Sequence, residues 1–162
     1  ESLLASIMPI FKPDEFLLNI LPKKRVLGID PGTKTLGIAV SNSDLTVASP
    51  IFTIQRKKLK SDLNQLLEVL KKYDITGIII GWPLNMDGSI GPRCDSVRDF
   101  VKSLLEVIDI PILLQDERMS TMAIEKPMIK ADLTRKKRNS RTDQLAACWI
   151  LQTALDGLPK RM

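Results

Sequence analysis

Two kinds of apolar pattern alternate along the chain. Val26 to Asp30, Leu36 to Ser41 and Thr46 to Gln55 are short runs separated by Gly- and Asn-containing gaps, which predicts three strands joined as a meander of hairpins. From Ser61 to Tyr73 the spacing changes. Leu63, Leu66, Leu67 and Leu70 recur at three and four residues, the period of a helix, with Ser61 placed to cap it and Asp62 and Lys71/Lys72 suited to the dipole at its two ends. "ITGIII" is continuously apolar, as a central strand covered on both faces would be, and "GWP" ends it. Asp95 to Ile108 predicts a second helix on Val97, Phe100, Val101, Leu104 and Ile108, and "PILLQDE" after it a further buried strand. Thr121 to Ala131 has helical composition, which Pro127 should kink or split. "TRKKRNSR" reads as a basic loop, and Thr142 to Asp156, apolar nearly all round, as a final helix buried against the sheet.

The order β-β-β-α-β-α-β-α-α predicts an α/β fold with a five-stranded mixed sheet flanked by helices. Residues 25–158 form the domain. Residues 1–24, interrupted by Pro9 and Pro13, form an N-terminal arm in which Asp14 to Leu21 suits a short amphipathic helix.

Composition narrows the chemistry. A chain of 162 residues, 44% hydrophobic and 27% charged, suits one globular domain. Net charge is +5 with a sequence pI near 9.3, which favours an anionic partner. The chain has no histidine, which excludes Ser-His and Cys-His nucleophilic machinery and any His-ligated metal. Cys94 and Cys148 make neither a disulfide framework nor a zinc spacing, so a reducing compartment is expected. No apolar run reaches the roughly 20 residues that span a bilayer, and the arm reads as a poor signal peptide.

Carboxylates then stand out. Asp30 closes the first apolar run, Asp116 and Glu117 close the last strand, and Asp143 opens the final helix. In an open α/β sheet, functional groups collect beyond the carboxyl ends of the strands. Each acid has an ordinary alternative. Asp30 before Pro-Gly can cap a turn, Glu117 can pair with Arg118 or Arg135, and "SRTD" resembles a capping box. Three such coincidences at one edge are less economical than one acidic site. Clustered acids need a proton or a cation between them, and an all-oxygen donor set points to Mg²⁺ or Mn²⁺, as a pair of ions in phosphodiester hydrolysis. Arg135, Lys136, Lys137, Arg138 and Arg141, with Lys34 and Arg118, are then candidates to hold the phosphates of a nucleic acid. Asp87 in "GWPLNMDGSIGPRCDS" reads as a turn residue. Trp82 reads as packing more readily than as a base-stacking platform.

"GIDPGTKTLGIAVSN", "GWPLNMDGSIGP", "DERMST" and "RTDQLAACWILQ" resemble, in order and spacing, the motifs of the YqgF/RuvX family, whose members are described as Holliday junction resolvase-like proteins and pre-16S rRNA nucleases. The resemblance covers roughly residues 25 to 156. It implies an RNase H-like fold and a bacterial or organellar protein of cytoplasmic type. It also implies catalytic, metal-binding acids at Asp30, Glu117 and Asp143, choosing Glu117 over Asp116 where spacing leaves both open. Three positions depart from the family pattern. Thr35 stands where an Arg usually follows the Lys, Ile90 where an acid often precedes Gly-Pro, and Pro127 interrupts the helix after "DERMST". None removes a proposed ligand.

Three functions are thereby in contention. The first is a metal-dependent nuclease acting on precursor 16S rRNA at its 5′ end in ribosome biogenesis, or on a four-way DNA junction. The protein would act as a monomer or a homodimer, a dimer being what cutting two strands of a symmetric junction would want. Its partners would be nucleic acid and ribosomal particles, with no membrane. The second is a non-catalytic RNA- or ribosome-binding factor on a nuclease-like fold. The third, a phosphotransferase, follows from the likeness of "GIDPGTKTLGIAV" to the first phosphate loop of the actin/Hsp70/sugar-kinase group, but 162 residues leave no room for the second lobe.

Overall fold

Three strands of the meander and two of the later apolar runs do form one mixed sheet. The computed structural model describes residues 10–117 and 135–159, with side chains from 11 to 117 and from 144 to 159. The strands are β1 (Ile10–Phe11), β2 (Arg25–Pro31), β3 (Thr35–Ser41), β4 (Ala48–Gln55), β5 (Ile75–Trp82) and β6 (Ile112–Asp116), in the spatial order β1-β6-β5-β2-β3-β4. Strands β2, β3 and β4 are the antiparallel meander. Strands β2, β5, β6 and β1 run parallel to one another. The five strands of the sequence pattern are all present, and Ile10–Phe11 of the arm adds a two-residue sixth at the edge.

The described helices are α1 (Pro13–Asn19), α2 (Leu59–Lys72), α3 (Pro92–Leu105) and α4 (Arg135–Gly157). Every residue of β5 is buried, as its unbroken apolar run requires of a strand covered on both sides. Its alternate residues face different cores. Ile78, Ile80 and Trp82 join Leu66, Leu70, Val97, Phe100 and Leu104 of α2 and α3. On the opposite face, Ile79 joins Ala147, Ile150, Leu151 and Ala154 of α4 and Phe16 and Ile20 of the arm.

The helix boundaries move from the sequence expectation. Helix α2 starts at Leu59, and Ser61 donates to the Lys58 carbonyl from its first turn instead of capping it. Helix α3 starts at Pro92, a residue suited to a first turn where its missing N–H is no loss. The largest change concerns "RKKRNSR", expected as a loop. It is helical, the first turns of a 23-residue α4. Lys and Arg are good helix formers, and a run of charge says nothing by itself against a helix. Ser140 is therefore mid-helix rather than a cap, and Asp143 lies in the third turn. The side chains of Arg135, Lys136, Lys137, Arg138, Arg141 and Asp143 lie outside the described residues, as do Arg118 and the segment from Thr121 to Ala131. Helix α4 also buries one stripe rather than its whole surface, leaving Trp149 45% exposed.

The arm is part of the packing. Phe16 is fully buried, Ile20 nearly so, and the Leu21 N–H donates to the Thr76 hydroxyl at 2.8 Å. Among the described residues no helix is long and apolar enough to cross a membrane.

Candidate active site at the carboxyl edge of the sheet

The register of the parallel strands brings two acids to one edge of the sheet. Ile29 of β2 pairs with Ile80 of β5, and Gly81 of β5 pairs with Gln115 of β6. Asp30 therefore lies across from Gly81, and Glu117 continues β6 past Asp116, its N–H reaching the Trp82 carbonyl at 3.3 Å. Side chains alternate along a strand. Gly28 faces Leu151 and Ala147 of α4, so Asp30, two residues on, shares that face. Leu113 belongs to the same core, so Gln115 and Glu117 share it too, whereas Asp116 falls on the α2/α3 side. This alternation is the physical reason why Glu117 and not Asp116 joins Asp30. The two carboxyl groups are hydrogen-bonded to each other.

Gly81 makes room for the pair. A Cβ built there would fall onto Oε2 of Glu117 and lie 2.8 Å from Cδ1 of Ile150. The Glu117 carboxylate thus occupies the space over a bare backbone, with its side chain only 10% exposed. Burial pushes its carboxyl above the ordinary value of 4.5, and the Arg93 guanidinium opposes that rise.

Arg93 is a site residue that the sequence pattern did not single out. It projects from the first turn of α3. Its Nη2 donates to the Pro31 carbonyl at 3.3 Å, and its Nη1 lies 3.9 Å from Oε1 of Glu117. Glu117 thus faces Arg93, while the partners proposed from the sequence, Arg118 and Arg135, have side chains outside the described residues. Arg56, also not anticipated, donates to the Gly32 carbonyl at 2.7 Å and lies over the Phe100 ring. Two guanidinium groups therefore brace the turn that follows Asp30. The available signal for Arg93 was topological. A helix that begins just beyond the carboxyl end of a central strand puts its first turn beside the neighbouring strand ends. Lys34 is exposed at the tip of the β2–β3 hairpin, and the Arg56 N–H donates to its carbonyl. Trp82 is 6% exposed and packs in the α2/α3 core, on the face opposite Asp30 and Glu117.

The donor set suits a hard divalent cation. Asp30 and Glu117 offer only oxygens, and a hydrogen bond between two carboxyl groups marks a place where either a proton or a cation must sit. No cluster of three potential ligands occurs among the described residues, and the Asp143 side chain lies outside them. On the backbone, Asp143 is four positions before Ala147 and seven before Ile150, the spacing of one helical face.

A mixed sheet carrying paired acids at its carboxyl edge under a long C-terminal helix defines a nuclease-type domain of the RNase H-like class. The fold is similar to that of a solved structure described as T. thermophilus RuvC in complex with a Holliday junction substrate, at a TM-score of 0.53 and 17% identity, over 85% of this chain and 99% of that one. Residues 24–157 match the family described as "RuvX: Holliday junction resolvase", and the chain belongs to that family. Relatives share the name "Putative pre-16S rRNA nuclease". One, from Paramagnetospirillum magneticum, is 44% identical over 92% of this chain and 96% of its own length. Another, from Ruegeria sp., is 47% identical over 88% of this chain and 91% of its own length.

Proposed function

We propose that this protein is a metal-dependent nuclease that hydrolyses phosphodiester bonds in the cytoplasm, and that its substrate is precursor 16S rRNA, trimmed at the 5′ end. The observation that carries the reading is the meeting of Asp30 and Glu117, from strands on either side of β5, as a hydrogen-bonded carboxyl pair over Gly81. The names of relatives 44% and 47% identical supply the substrate.

In this reading Asp30, Glu117 and Asp143 hold Mg²⁺ or Mn²⁺, two ions where the substrate phosphate completes the site. Bound there, the ions would activate a water and stabilise the leaving oxygen. The chain's own residues do the rest. The missing side chain of Gly81 leaves the space that the Glu117 carboxylate occupies, so its oxygens can meet a ligand at the strand ends. Arg93 and Arg56 hold the Pro31–Gly32 turn, and through it the direction of Asp30. Lys34 and the basic first turns of α4, with Arg135, Lys136, Lys137, Arg138 and Arg141, together with Arg118, hold the flanking phosphates.

The second reading, cleavage of a four-way DNA junction, is favoured by the family's description and by the likeness to a junction-bound fold. One assay separates the two. End-labelled precursor 16S leader RNA and a labelled four-way junction are each incubated with wild type and Asp30→Asn, in Mn²⁺ or EDTA. Cutting that needs Mn²⁺ and is lost in the variant supports the acidic site, and the faster substrate identifies the physiological one. Intact RNA binding with no cutting of either substrate overturns the nuclease reading in favour of a binding factor.

A further inference from the structure

We propose that Arg93 is a built-in counter-ion for the Asp30–Glu117 pair, a positioning residue that competes with the divalent cation for Glu117 and so lowers the protein's cation affinity. The inference rests on the metal-dependent reading above. Its basis is the way one side chain spans both strand ends. Nη2 holds the Pro31 carbonyl, one residue beyond Asp30, while Nη1 faces Oε1 of Glu117.

The two ends of that contact differ in a way that suits exchange. Glu117 is 10% exposed, and its carboxylate lies over the bare backbone of Gly81. Arg93 is 55% exposed and reaches in from the start of α3. At 3.9 Å the Nη1–Oε1 contact is too long for a hydrogen bond, so the attraction is coulombic and easily released. The desolvated partner stays in place and the hydrated one can swing away. A divalent cation on the same carboxylate oxygens would come within a few ångströms of the guanidinium. At a half-exposed position, like charges at that range weaken binding by roughly tenfold or somewhat less. The arginine thereby keeps the strand ends aligned when no cation is bound. A guanidinium displaced from Glu117 is then at hand for a substrate phosphate, which its fork fits.

The test is Mn²⁺ binding, read by calorimetry and by the electron paramagnetic resonance signal of the free ion, without substrate. Wild type, Arg93→Gln, Arg93→Lys, Asp30→Asn and Arg25→Gln are compared. Arg25 is an exposed cation at the opposite edge of the sheet and controls for loss of net charge. The expected result is that Arg93→Gln binds Mn²⁺ about five- to tenfold tighter. It should also melt lower in EDTA and show a larger Mn²⁺-induced rise in Tm. Arg93→Lys should stay close to wild type, and Arg25→Gln should match it. Unchanged or weaker binding by Arg93→Gln overturns the proposal, since a merely structural arginine would lower Tm without tightening Mn²⁺. Equal tightening in Arg25→Gln overturns it as well. Undetectable Mn²⁺ binding by wild type, or full binding by Asp30→Asn, sinks the metal reading itself and this proposal with it.

Discussion

Gly77 and Gly81 stand four residues apart on β5 and face the same side of the sheet, yet they lack a side chain for opposite reasons. A Cβ on Gly77 would lie 2.6 Å from Cζ of Phe16 and 2.8 Å from Cγ2 of Ile20, so this glycine is the seat of the N-terminal arm. A Cβ on Gly81 would meet the Glu117 carboxylate and Ile150, so that glycine is the seat of the acidic pair. One strand thus serves stability at its amino end and chemistry at its carboxyl end. The two ends are separable by experiment because their neighbours are different elements.

The largest effect that would sharpen this contrast lies at the carboxyl end. Asp30→Asn should lower cleavage on the order of 10³-fold or more, with a native melting profile, as single-turnover rates and calorimetry would show. Retained cleavage would remove the carboxyl end from the chemistry. The counterpart at the amino end is Phe16→Ala. It empties a fully buried site and should lower unfolding free energy by about 3–5 kcal/mol in urea titrations, while the surviving folded fraction cleaves at the normal rate.

Next comes Gly81→Ala. Displacing the Glu117 carboxylate by about an ångström should cost roughly 10²-fold in turnover and little stability. Gly77→Ala should do the reverse. It should lower stability by about 1–3 kcal/mol through overpacking and leave turnover intact. Combining it with Phe16→Ala should be less damaging than the sum of the two, because the alanine would fill space the ring has vacated. If Gly77→Ala and Gly81→Ala behave alike, the division of β5 into two ends is wrong.

The smallest effect is a pH dependence confined to the carboxyl end. Burial raises the folded-state pKa of Glu117 above 4.5. A raised carboxyl pKa means that the folded state binds the proton more tightly than the unfolded chain. Its contribution to stability is complete below pH 4.5 and is lost as pH climbs through the folded value. In EDTA, wild type should therefore lose stability relative to Glu117→Gln as pH rises from 4.5, and Phe16→Ala should leave that slope unchanged. A flat difference between wild type and Glu117→Gln would show that the carboxyl pair is not desolvated in solution.

Much of this architecture was legible in the chain because it rests on local periodicity. The apolar run of β5, the leucine spacing of α2 and the short apolar runs of β2 and β3 each follow from which residues must leave water, and each element appears within a few residues of where the pattern placed it. The four family motifs carried Asp30, Glu117 and Asp143. Local pattern misled where it stood in for context. The charge of "RKKRNSR" was read as a loop, although Lys and Arg are good helix formers and the segment is helical in α4.

The sequence by itself determined five of the six strands, their order and the residue types able to do the chemistry, since burial periodicity and the absence of histidine are properties of the chain. Only the tertiary structure decided the partnerships. Pairing across three strands put Asp30 level with Gly81 and Gln115, two residues before Glu117, and strand alternation turned Asp116 away. The start of α3 delivered Arg93 to a carboxylate 24 positions further on, and Phe16 found Gly77 across 61 residues. Such contacts join segments whose separation along the chain bears no relation to their distance in space, so no local pattern of polarity encodes them.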